Sequence, residues 1–86
     1  MGWFSKSSNY SYFDDSWDKD VKPTASGEDI YAYRYGSREF VASVPNSSGI
    51  SYCKWVSSSY GTYIMVTCKD GKTYNVYENK VEKLSL

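Results

Sequence analysis

The sequence predicts an all-β domain, and three observations carry that prediction. The apolar residues are mainly β-branched or aromatic: leucine stands only at Leu84 and Leu86, while the 86 residues include 10 Tyr and 3 Trp. Such side chains pack well on a pleated surface and lose rotamer freedom in helices. From Asp29 onward the residue pattern has a period of two. Short runs with that period are divided by glycine-containing turns, the mark of an antiparallel meander. A chain of this length makes one small domain that buries only about 60 % of its unfolded surface, so there is no room for a cleft between two subdomains.

Residues 1–27 read as an N-terminal arm and residues 28–86 as the β domain. In the arm Trp3, Phe4, Tyr10, Tyr12, Phe13 and Trp17 lie among Ser, Asn, Lys and Asp with no sustained period. Tails that stay disordered are poor in aromatics. The arm is therefore expected to dock through Trp3, Phe4, Phe13 and Trp17, either on its own domain or on a second copy as a homodimer. Lys22 to Gly27 reads as a linker or turn.

The first strand runs from Ile30, with Ile30, Ala32 and Arg34 on one face and Tyr31, Tyr33 and Tyr35 on the other. A turn at Gly36-Ser37 leads to a second run, Glu39 to Val44, which Pro45 to Gly49 breaks. The third run spans Ile50 to Ser57, the fourth Thr62 to Cys68 and the fifth Thr73 to Tyr77. Lys69-Asp70-Gly71 suits a three-residue hairpin loop with Gly71 left-handed. That register sets Val66 opposite Tyr74 and Ile64 opposite Val76, gathering apolar side chains on one face. If Tyr60-Gly61 forms a two-residue loop, Cys53 falls opposite Cys68 and Trp55 opposite Val66. The two cysteines would then be close enough to bridge on oxidation. The core face would hold Cys53, Trp55, Ile64, Val66, Cys68, Tyr74 and Val76. The outer face, with Tyr52, Lys54, Val56, Tyr63, Met65 and Thr67, is far from polar. Residues 78–86 fit either a short terminal helix, with Asn79 and Glu82 as a weak cap, or a sixth, edge strand. About five strands suit an SH3-like barrel or an open twisted sheet.

Chemistry is sparse. The chain has no histidine, the usual general base near neutral pH, which removes Ser-His and Cys-His nucleophile pairs. The one acidic cluster, Asp14 to Asp20, has no evident scaffold to hold a carboxylate pair at fixed separation. No enzyme is expected. Asp14, Ser16, Asp18 and Asp20 have the spacing of a calcium loop, but Lys19 stands where Gly is required and Ala25 where a bidentate Glu belongs. Two cysteines without histidine make half a zinc site. No glycine-rich nucleotide loop is present. No cofactor and no metal are expected.

Charge is uneven although the formal total is +0. Residues 1–29 carry three lysines against six acids, and residues 30–86 carry seven cations against four acids. No apolar run suits a signal peptide or a membrane span. Gly2 lacks the Ser or Thr at position 6 that myristoylation wants. Asn9-Tyr10-Ser11 and Asn46-Ser47-Ser48 match the glycosylation pattern, without a secretory signal to use it. The expected compartment is the cytoplasm, with both thiols reduced.

Two binding functions fit. The first is protein recognition. Tyr and Ser dominate antibody paratopes because Tyr gives contact area at low entropic cost and Ser gives adaptable hydrogen bonds. The expected contact residues are Tyr31, Tyr33, Tyr35, Tyr60 and Tyr63 with Arg34 and Arg38. Such a chain suits an adaptor or inhibitor, of the kind phages and viruses use against host proteins. The second is single-stranded nucleic acid, stacked on Tyr31, Tyr33, Tyr52 and Tyr63 and tracked by Arg34, Arg38, Lys54 and Lys69. The modest positive charge of residues 30–86 weighs against it. Protein is the favoured partner.

Overall fold

A computed structural model describes residues 9–84. Seven strands follow one another: β1 (Thr24–Ser26), β2 (Asp29–Arg34), β3 (Ser37–Ser43), β4 (Ile50–Ser58), β5 (Gly61–Cys68), β6 (Thr73–Tyr77) and β7 (Lys80–Lys83). They form two antiparallel sheets, β1-β2-β3 and β4-β5-β6-β7. The all-β meander is as the sequence predicts. It is neither a closed barrel nor one open sheet. β1 lies beside β4 and β3 beside β7, but no ladder among the described residues joins either pair. One core fills the space between the sheets. Ile30, Ala32 and Val44 meet Ile50, Cys53, Ile64, Val66, Cys68, Tyr74 and Val76 there.

The β5–β6 hairpin has the expected register, with Val66 opposite Tyr74 and Ile64 opposite Val76. Gly71 takes the left-handed conformation its loop requires (φ 91°). The β4–β5 hairpin corrects the expectation by two residues: Cys53 faces Val66, Trp55 faces Ile64, and Cys68 faces Ile50. The loop is Ser59-Tyr60, because the Ser58 hydroxyl accepts from the N–H groups of Tyr60 (3.1 Å) and Gly61 (3.2 Å) and closes the turn there. Gly61 serves a different need, since the Tyr12 ring lies against its Cα. A shift of two leaves every side chain on its predicted face. It does separate the cysteines, which are no longer cross-strand partners. A bulge between Ile50 and Tyr52 turns Ile50 inward beside Cys53.

The C-terminal segment is the edge strand β7, not a helix. Val81 pairs with Val76, and the Asn79 side chain caps no helix. It accepts from Ser11 N–H (2.9 Å) and donates to the Asn9 carbonyl. Thr24 to Ser26, within the segment read as a linker, forms the short strand β1, turned into β2 by Gly27 (φ 63°). The β2–β3 turn is Tyr35-Gly36, one residue earlier than expected.

Of the arm, Trp3 and Phe4 lie outside the described residues. Phe13 and Trp17 belong to the core, at 4 % and 5 % exposure. Phe13 N–H donates to Thr62 O (2.9 Å) beyond the end of β6, and Asp18 N–H donates to Tyr33 O (2.8 Å) in the lane that β1 occupies further along β2. The arm thus ties one sheet to the other across the open end of the sandwich. Tyr10 and Tyr12 continue over the outer face of the second sheet. Tyr10 stacks on Tyr77 at 4.4 Å, Tyr12 meets it edge-on at 5.3 Å, and Tyr63 approaches from the other side at 5.4 Å.

Candidate protein-recognition hairpin

The outer face of β2 and β3 is where aromatic rings stay unspent on packing. Strand alternation buries Ile30 and Ala32 and turns Tyr31 and Tyr33 outward. The pairing then sets Phe40 opposite Tyr31 and Arg38 opposite Tyr33. The Tyr31 and Phe40 rings meet edge-on at 5.8 Å, and the Arg38 guanidinium lies over the Tyr31 ring at 4.0 Å. Phe40 is 56 % exposed. A bulge between Ile30 and Tyr31 in the ladder lets both Val41 and Ala42 pack on the core without turning Phe40 inward.

Tyr35 sits at the tip. It is the one non-glycine residue with positive φ among those described (54°), next to Gly36 at 79°. Two left-handed residues make the turn whose twist matches a hairpin. Asn or Gly fills the first position readily, whereas a bulky side chain there is strained. Tyr35 gains little packing in return, being 81 % exposed.

The structure therefore brings together Tyr31, Tyr33, Tyr35 and Arg38, and adds Phe40. It does not bring in the other expected contact residues. Tyr60 is 82 % exposed on a different hairpin, and Tyr63 belongs to the Tyr77 cluster of the second sheet. Arg34 points inward, stacked on Trp17 at 4.1 Å and 3.6 Å from Glu39. Even a Gly36-Ser37 turn sets Phe40 opposite Tyr33 on the same outer face, so strand alternation was the signal for it. With Tyr35-Gly36 as the loop, Phe40 falls opposite Tyr31 by counting alone.

The nucleic-acid platform divides in two. Tyr31, Tyr33 and Arg38 lie on the outside of one sheet, and Tyr52, Lys54 and Tyr63 on the outside of the other, with the core between them. The Asp14 carboxylate is hydrogen-bonded to Ser16. It accepts from the Ser16 N–H and hydroxyl, which hold it below its usual pKa. Among the described residues no three His, Cys, Asp or Glu side chains gather as metal ligands. None of them forms a helix long and apolar enough to cross a membrane. Asn46 is buried, its amide donating to Asp70 and to Tyr74 Oη (3.2 Å), which leaves no access for a glycan. Comparison with protein families, curated proteins and solved structures found no match to this chain.

Proposed function

We propose that this chain is a non-catalytic protein-recognition module, of adaptor or inhibitor type, that binds its partner through the outer face and tip of the β2–β3 hairpin. The observation that carries the reading is Tyr35. A strained backbone that gains no packing within its own chain points to use outside it. Around it Tyr33, Tyr31 and Phe40 supply large, rigid contact area, and Arg38 is already held in place on Tyr31. Aromatic and Arg residues clustered at the centre of a patch are the usual carriers of binding energy. The buried, free cysteines suit a reducing compartment such as the cytoplasm.

The test pairs stability with binding. Tyr35→Asn should relieve backbone strain and raise stability by up to about 1 kcal/mol. It should also weaken capture of the partner from an extract of the native host by more than about 1 kcal/mol. Phe40→Ala should weaken capture similarly, and Tyr60→Ala should not. Undiminished capture by the Tyr35 and Phe40 variants would sink the reading. So would tight binding of a single-stranded oligonucleotide that falls steeply with salt.

A further inference from the structure

Between β3, the arm and the β6–β7 turn, the surface opens into a cavity of about 200 Å³. Pockets for whole small molecules start near 300 Å³, so this one has room for a single side chain. Phe13, Trp17, Phe40 and Val41 supply the apolar part of its lining, and polar atoms make up the larger part. Its polar lining is mostly anionic. Glu39 and Glu78 both line it. Against these two carboxylates stands one guanidinium, Arg34, whose plane is taken up by Trp17. Glu78 uses Oε2 to accept from Trp17 Nε1 (2.6 Å), which leaves its other oxygen for a second donor. Glu39 reaches Arg34 only at 3.6 Å and only at Nε, an atom that is buried and makes no hydrogen bond. The pairing inside the chain is incomplete, and the excess charge is negative.

We infer that this cavity receives a lysine or arginine side chain of a partner protein. The aliphatic stem would lie along Val41, as long cationic side chains do on apolar surface. The head would reach Glu39 and Glu78 in a setting partly shielded from water, where charge-assisted bonds are stronger. The recognition-hairpin reading supplies only the source, a protein. The charge and shape of the cavity are independent of it.

The experiment is an NMR titration of the full, isotope-labelled chain with blocked alanine tripeptides. Their central residue is arginine, lysine, norleucine or glutamate. The Trp17 indole N–H reports on the cavity. It should shift with the arginine and lysine peptides and stay still with the other two. Glu39→Gln and Glu78→Gln, checked for an otherwise unchanged amide spectrum, should each weaken the response about tenfold, the scale of one lost charge-assisted bond. Equal shifts from norleucine, binding of the glutamate peptide, or full affinity in both variants would overturn the inference. The two readings fail separately. Tyr35→Asn should leave the titration untouched. Silent cationic peptides with normal hairpin-dependent capture would sink the cavity alone.

Discussion

Substituting Gly61 by Ala tests whether the arm is part of the fold. A Cβ on Gly61 would lie 2.5 Å from Tyr12 Cγ, 2.6 Å from Tyr12 Cβ and 2.9 Å from Cδ1. Because one of these atoms is a Cβ, ring rotation cannot relieve the clash, and the arm backbone must move. Gly61 also has φ 148°, which L residues rarely adopt. Gly71 supplies the control: its φ, 91°, is also one that L residues rarely adopt, but a Cβ would meet nothing within 4 Å. Backbone strain costs about 1–3 kcal/mol at either position. Overpacking adds about 1–3 kcal/mol at Gly61 alone, in a domain whose total stability is about 4–13 kcal/mol by its length. Urea unfolding followed by tryptophan fluorescence should therefore show Gly61→Ala as the more destabilising by about 1–3 kcal/mol. In a Tyr12→Gly background, which removes all three clashing atoms, the extra cost should disappear. Equal effects at Gly61 and Gly71, or no coupling to Tyr12, would refute a docked arm.

Two further outcomes follow from the same structure. Tyr10 donates to Glu82 Oε2 at 2.5 Å, and that bond with the neighbouring charge pushes its pKa from 10.0 to about 12. Its contribution to stability is then complete below pH 10 and is lost as pH rises from 10 towards 12; ultraviolet titration should find one late-ionising tyrosine that returns to the ordinary range in Glu82→Gln. Burial pushes the thiols of Cys53 and Cys68 up, and neither faces the other across a ladder. Both should resist a thiol reagent at pH 8 until urea is added, and mild oxidant should leave the mass unchanged; a disulfide formed within the native fold would contradict the register.

What the sequence made legible were the faces, and what it hid were the tips. Period-two patterning decides which side chains point inward, so the face holding Cys53, Trp55, Ile64, Val66 and Cys68 could be read even with the loop misplaced by one residue. Loop position depends on atoms that propensity does not weigh. The Ser58 hydroxyl pulls the β4–β5 turn toward itself, and Tyr12, about fifty residues away in the chain, requires Gly61 to lack a side chain. The β2–β3 turn was misplaced in the same way, which changes the partner of Phe40 from Tyr33 to Tyr31 and leaves it on the outer face. The C-terminal strand was undecided because Val81 and Leu84 fit both periods; pairing of Val81 with Val76 decides it.

The division of the aromatic residues into packed and exposed groups follows from the size of the domain. Two small sheets leave an open end, and a core this small cannot close it with aliphatic side chains from the strands alone. The arm fills the gap. Phe13 packs edge-on against Trp17 at 5.5 Å and Trp55 at 5.3 Å, and the Trp55 indole donates to Val21 O (3.0 Å) as the arm passes. Tyr10, Tyr12, Tyr63 and Tyr77 then cover one another on the flank of the second sheet. Once those rings are accounted for, the ones left without a neighbour that hides them are Tyr35, Phe40, Tyr52 and Tyr60. Tyr35 and Phe40 share one hairpin with Tyr31, Tyr33 and Arg38, whereas Tyr52 carries Lys22 over its ring at 5.3 Å and Tyr60 stands alone on its turn. Among the described residues, the aromatic surface that folding does not consume is gathered most densely on the β2–β3 hairpin, which is why the proposed partner site is placed there.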